Sequence, residues 1–209
     1  MSVYQGVITA FFWLSMDPTV LRGILRDAEK EAILLQPVPS ELQVSPGVSI
    51  AIGRPNIPLG RIGPVQVSWN PERFSLTFEG PLQKIVEILS RLEESFEKNG
   101  YSLRDIVHYY ELNLRDKKKT DDFIGAIQGK IKFEDLDLAL FSLSLSNRPA
   151  PIGEYFYEWL HVTLTPDVNS PRKWVIVQLV KRSKKIEDMV NFVNEIDNFI
   201  ESVLKSLKR

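Results

Sequence analysis

The sequence contains one stretch twice: a strand, a tight turn, a second strand and a long amphipathic helix. The first copy is predicted at Val65–Trp69, Phe74–Glu79 and Leu82–Lys98. The second copy is predicted at Leu160–Thr165, Trp174–Lys181 and Ile186–Leu207. Because each copy supplies two strands and a helix that can cover them, the repetition indicates an internal duplication. It constrains the fold more than any other feature of the chain.

A matching loop precedes each copy. Gly53–Gly60 and Asn147–Gly153 both contain arginine followed by proline, at Arg54 and Arg148. Proline fixes the backbone, and the planar guanidinium suits a carboxylate or a phosphate. These arginines are therefore candidate ligand-binding residues. The alternative is two symmetric turns whose arginines form salt bridges or bind backbone carbonyls.

The alternating apolar strands need a covering layer, and the two long helices supply it. The sequence predicts an α+β fold: an internally duplicated antiparallel sheet covered on one face by two helices. It predicts a single domain over residues 1–209, made of two fused repeats at about 1–100 and 101–209. This layout resembles the duplicated saddle of the TATA-binding protein fold. The resemblance covers element order only and carries no motif, so it implies nothing about function.

Three local predictions accompany this fold. Phe74 is expected to share a strand face with Leu76 and Phe78, and residues 138–146 are expected to form one strand. A further strand over Ile106–Leu114 is expected to end in a charged loop at Asp116–Lys119.

Composition excludes several classes of protein. The 26 basic and 27 acidic residues give a net charge of −1, without the basic excess of most nucleic-acid-binding proteins. Cysteine is absent, which removes disulfides and thiolate sites. The apolar run Val7–Leu14 is shorter than the about 20 residues of a membrane helix, and Met1–Gly6 lacks a signal-like basic region. We expect a cytoplasmic protein without membrane contact.

Catalytic motifs are also missing. The chain has no serine elbow or phosphate loop, and its two histidines lie in different predicted strands, so we predict no metal and no cofactor. His161 nevertheless shares a strand face with three aromatic residues, Tyr155, Tyr157 and Trp159. This row either lines a pocket or packs against a neighbouring strand. A small hydrolase or isomerase around His161 remains one hypothesis.

Basic residues cluster near the last predicted hairpin, at Arg172, Lys173, Lys181, Arg182, Lys184 and Lys185. They are a candidate phosphate-binding patch and support an alternative nucleic-acid-binding function. A solvated turn and first helical turn would explain them equally.

The favoured hypothesis is a non-catalytic binding or protein-interaction module. It would use the sheet face away from the helices, which is rich in serine and threonine, together with the Arg-Pro loops. Its protein or small-molecule ligand is not identified by the sequence. A homodimer is also predicted, with the last helix contributing to its interface; the alternative is that the broad apolar stripe of this helix only packs it into the core. Its apolar residues follow heptad spacing at Met189, Val193, Ile196, Ile200, Val203 and Leu207, with Phe192 and Phe199 beyond that seam.

Overall fold

The computed structural model describes residues 4–30, 32–35, 41–45, 48–51, 56–123, 130–133, 136–139, 141–148 and 156–207, with backbone only for 41–45, 48–51, 130–133 and 136–139. The strands are β1 Gln5–Phe12, β2 Ile33–Leu34, β3 Glu41–Ser45, β4 Val48–Ala51, β5 Ile57–Ile62, β6 Val65–Asn70, β7 Ser75–Pro81, β8 Val107–Lys119, β9 Lys130–Phe133, β10 Leu136–Ala139, β11 Leu143–Ser146, β12 Leu160–Pro166 and β13 Trp174–Ser183. The helices in this part of the chain are α1 Pro18–Ala28, α2 Leu82–Lys98, α3 Leu103–Ile106 and α4 Ile186–Ser206.

The predicted α+β class is confirmed. Nine strands form one antiparallel sheet in the order β11-β12-β13-β8-β1-β7-β6-β5-β2, and β9–β10 and β3–β4 form separate pairs. The chain divides into two compact units. One unit is Val7–Tyr110, and the other combines Met1–Gly6 with Glu111–Arg209.

The unit Val7–Tyr110 is built around α1, α2 and the hairpin β6–β7. Asp17 caps α1 by accepting a hydrogen bond from the Thr19 N–H at 2.6 Å, and Pro18 fills the first helical position. Helix α2 has the predicted bounds. Large apolar side chains from sheet and helix are fully buried, including Trp69, Phe78, Ile85 and Phe96. The hydrophobic effect of this burial holds the two layers together.

The second unit places α4 beside β13. In β12 and β13 the residues of one face are buried, as in Val162, Leu164 and Val177. Helix α4 buries its inner stripe at Ile186, Met189, Val193, Ile196 and Ile200. The other sheet face carries polar side chains that are half-buried or exposed: Ser144, Ser146, His161, Thr163 and Gln178. Alternation of this kind is typical of an antiparallel sheet with one buried face.

Three local predictions are wrong. Residues Asp116–Lys119, expected to form a charged loop, continue strand β8. Lys118 supports this part of the strand: its ammonium lies 4.3 Å from the Tyr4 ring centre and forms ion pairs with Asp116 and Asp197. The expected strand over 138–146 is two strands, because β10 pairs with β9 and β11 pairs with β12. Phe74 lies in the turn after β6 at φ +50° and is 36% exposed.

None of the described helices is both long and apolar enough to cross a membrane.

Candidate functional site

Four of the predicted site residues surround one cavity of about 210 Å³, which we call the Arg148 pocket. They are Arg148, Trp159, Lys181 and Arg182. The pocket lies where β11 ends, β12 begins and β13 runs into the first turn of α4. The antiparallel register pairs Leu160 with Lys181, and Arg148 lies beside the end of β13.

The other predicted residues have different fates. Tyr157 contacts Lys184, and His161 contacts the pocket residue Trp159. Arg54 and Tyr155 lie outside the described residues. Arg172 and Lys173 are exposed in the turn before β13, where their carbonyls accept from the backbone N–H groups of Asp122 and Thr120. Strand β13 has 10 residues, so about 30 Å separates that turn from Arg182. The predicted basic patch is therefore two separate groups.

Polar side chains before β12 fix the rim of the pocket. The Ser146 hydroxyl accepts a hydrogen bond of 2.7 Å from the Trp159 indole and one of 3.3 Å from the Arg148 backbone N–H. The side-chain Oδ1 of Asn147 accepts from the Leu160 N–H at 2.9 Å, and the backbone N–H of Asn147 donates to the Leu160 carbonyl at 3.1 Å. The sequence patterns did not identify Ser146, which directly precedes the Arg-Pro loop, or Asn147, which begins it, as site residues.

Arg182 is held from several directions. Its Nε donates to Glu111 at 2.7 Å, and its Nη1 donates to the Phe156 carbonyl at 3.4 Å. Its guanidinium carbon lies 4.3 Å from the Phe156 ring centre and 5.5 Å from that of Trp159. These contacts position the guanidinium before any ligand arrives, which lowers the entropic cost of binding. Glu111 reads in the sequence as a solvated strand residue, and only the sheet topology reveals this role.

The lysines near the pocket also face aromatic rings. Lys181 Nζ lies 5.1 Å from the Phe192 ring centre, and Lys184 Nζ lies 5.4 Å from that of Tyr157. Burial lowers the pKa of Lys181, and the negative charges of Asp188 and Glu158 oppose part of that shift.

The lining of the pocket is cationic on balance. Three basic side chains, Arg148, Lys181 and Arg182, face two acidic ones, Glu158 and Asp188. Asp188 accepts a hydrogen bond of 2.8 Å from the Ser183 hydroxyl, which itself accepts from the Lys185 N–H at 3.1 Å. These bonds keep one of the two carboxylates engaged at the start of α4. The arrangement can attract and orient an anionic group.

His161 stacks on Trp159, with ring centres 5.1 Å apart and an angle of 22° between the planes. Its Nε2 lies 3.1 Å from the Thr163 hydroxyl, which lies 3.3 Å from the Ser144 hydroxyl. A serine-type catalytic triad would need a carboxylate that accepts a hydrogen bond from the other ring nitrogen of His161, Nδ1. That atom, Nδ1, is buried and has no hydrogen-bond partner in the part of the chain that the structure describes. The described residues supply an imidazole–hydroxyl contact without the orienting carboxylate.

Among the residues with described side chains, no three acidic or histidine residues are grouped closely enough to hold a metal ion. The fold and the pocket together define a mixed α+β protein with a small, cationic, aromatic-walled site. Comparison of the chain with protein-family models, curated proteins and solved structures finds no significant match.

Proposed function

We propose that the protein is a non-catalytic binding module that recognises an anionic group in the Arg148 pocket. One observation carries the proposal: the arginine of an Arg-Pro loop meets Lys181 and Arg182 around a single cavity, with Trp159 in its wall. The three cations come from two segments that are distant in sequence, and Arg182 is already oriented by Glu111 and Phe156.

The size of the pocket limits the ligand. Sites for whole drug-sized ligands measure about 300–1,000 Å³. A cavity of about 210 Å³ suits a single carboxylate or phosphate group. The module therefore recognises the charged end of its ligand, and the rest of that ligand lies outside the cavity. A small molecule and an acidic segment of a partner protein both meet this description.

The element order supports the internal duplication as part of the proposal. In the unit Val7–Tyr110 the first strand is followed across the sheet by β7, β6 and β5. In the other unit β8 is followed by β13, β12 and β11. Along the chain, a long helix follows the strand next to the first one in each series: α2 follows β7, and α4 follows β13. Two fused repeats in a single domain with a saddle-like layout would produce this order.

Nucleic-acid binding is the second candidate, and a specific observation favours it. Three basic residues at and just after the end of β13, Lys181, Arg182 and Lys184, lie over aromatic rings. Basic and aromatic side chains together are typical of single-strand binding sites. Here the cations cover the rings themselves, so the contact with a nucleic acid would be made through its phosphates.

The test is a calorimetric titration of the protein with inorganic phosphate, with citrate and with single-stranded and duplex oligonucleotides at low salt. We expect Arg148→Met and Lys181→Met to weaken anion binding at least tenfold, while Arg172→Met, at the far end of β13, leaves it unchanged. Oligonucleotide binding that far exceeds phosphate binding would establish the second candidate. Absence of binding to every probe would refute both.

A further inference from the structure

Arg22 of α1 is a buried arginine for which the described residues provide no matching anion. It is 8% exposed, and its helix neighbours Leu21, Ile24 and Leu25 are fully buried. Its Nη2 donates one long hydrogen bond of 3.5 Å to the Pro58 carbonyl. Its Nε is buried and has no hydrogen-bond partner among the residues that the structure describes.

A guanidinium has five N–H donors and cannot lose its proton in a protein, so its burial requires acceptors. No described carboxylate lies within ion-pair distance of Arg22. Asp17 is the acidic group whose pKa responds to Arg22. The Thr19 N–H is the main cause of the lowered pKa of Asp17, and Arg22 is the weakest cause.

Two other arginines show that this situation is unusual for the chain. Arg26 lies one turn further along α1 and is exposed, so water solvates its charge. The side chain of Arg182 is only 16% exposed, but Glu111 neutralises it and Phe156 covers it. Arg22 is deeply buried, and within the described ranges it has neither kind of compensation.

We propose that Arg22 is the anchor of a second anion site, which binds a carboxylate or a phosphate group between α1 and the first residues of β5. The fork of the guanidinium would donate two parallel hydrogen bonds to such a group. The Pro58 carbonyl would hold the remaining edge of the fork. This site belongs to the unit Val7–Tyr110 and does not depend on the Arg148 pocket.

The experiment compares thermal denaturation of the wild type, Arg22→Met and Arg22→Lys with that of the control Arg26→Met. Each protein is measured at matched ionic strength in sodium chloride, sodium phosphate and sodium acetate. At about a hundred times Kd, a bound anion should raise the wild-type Tm by about 5–10 °C. The control should show the same rise. Arg22→Met should lose the part of that rise that the wild type gains from this site.

The anion that produces the Arg22-dependent rise identifies the ligand class, phosphate or carboxylate. In chloride alone, Arg22→Met should melt at or above the wild-type Tm, because it removes an uncompensated buried charge. The Arg148 pocket also binds anions under the proposed function. The denaturation of all four proteins is therefore repeated with Arg148→Met added to each of them. An Arg22-dependent rise that persists there separates the two sites.

Two results would overturn the proposal. The first is an equal anion response in wild type and Arg22→Met, whatever the Tm of the variant in chloride. If that Tm is also lower than the wild-type Tm, the guanidinium is satisfied by the chain itself or by a second copy. If Arg22→Met does not fold, Arg22→Lys decides, since lysine keeps the charge but loses the fork. An undiminished anion response in that variant is the second overturning result.

Discussion

Replacing Glu111 by glutamine should lower stability and strengthen anion binding at the same time. Glu111 accepts a hydrogen bond of 2.7 Å from Arg182 Nε and another of 2.8 Å from Asn113 Nδ2. The substitution keeps the size and one of the two acceptor oxygens, replaces the other with an amide NH2 and removes the negative charge. Arg182 would then remain beside the Arg148 pocket without its counter-charge.

The magnitude follows from the partial burial of the pair. The Arg182 and Glu111 side chains are 16% and 18% exposed. Two charges about 4 Å apart at an effective dielectric constant of about 20 attract by about 4 kcal/mol, and desolvation offsets part of this. Exposed pairs contribute about 0–1 kcal/mol, and breaking a buried pair costs about 3–5 kcal/mol. We therefore expect a loss of about 2 kcal/mol and a Tm lower by about 4–8 °C.

The ligand affinity should change in the opposite direction. Glu111 contacts Arg182, which lines the pocket, so its charge repels an anion bound there. At about 7 Å, with an effective dielectric constant of about 50–80 between the values for a surface pair and for bulk water, this repulsion is about 0.6–1 kcal/mol. Its removal should lower the Kd for phosphate about threefold to fivefold. Thermal denaturation measures the first effect and calorimetric titration the second. Glu195→Gln, which removes the same charge from an exposed position on α4, is the control for both.

Two outcomes would refute this reasoning. If Glu111→Gln is as stable as Glu195→Gln, the ion pair with Arg182 contributes nothing to the fold. If the affinity for phosphate falls instead of rising, Glu111 acts mainly by orienting Arg182, and the electrostatic competition has been overestimated.

Three further predictions concern other parts of the chain. Burial lowers the pKa of Lys181, so between that lowered pKa and 10.5 the unfolded chain binds more protons than the folded chain. The free energy of unfolding should therefore rise with pH in this range. Denaturant titrations at successive pH values should show a smaller rise for Lys181→Arg. Asn70 is buried and its Oδ1 accepts from the backbone N–H groups of Glu72 and Arg73, so Asn70→Ala should cost about 1–3 kcal/mol, and a loss below about 0.5 kcal/mol would contradict the role of this turn. Phe192 is half-buried against Phe199, and Phe192→Glu should dissociate the predicted homodimer without unfolding it; a wild-type monomer at micromolar concentration in sedimentation would disprove that dimer.

The elements with strong local signals were predictable from the sequence. Helix α2 has the expected bounds because its apolar spacing is regular and Gly100, at φ +80°, ends it in a conformation that suits glycine. The end of β8 was not predictable from its charged residues alone. Its last positions are held by Tyr4 and Asp197, which no local window contains.

The sequence predicted the main residues of the Arg148 pocket but not that they lie together. The Arg-Pro pattern drew attention to Arg148, and the basic cluster to Lys181 and Arg182, but as separate features. Their meeting depends on the register that pairs Leu160 with Lys181. A one-residue shift of that register would turn every side chain of β12 to the opposite face, and composition does not fix it.

The division of the chain has a consequence for its synthesis. Val7–Tyr110 is continuous in sequence, so it can fold as soon as Tyr110 has left the ribosome. The other unit joins Met1–Gly6 to Glu111–Arg209, and the Tyr4 hydroxyl donates to Asp197 across a separation of 193 residues. Loops of this length close slowly. Tyr4 must therefore remain without Asp197 until the 193 residues that separate the two have been made.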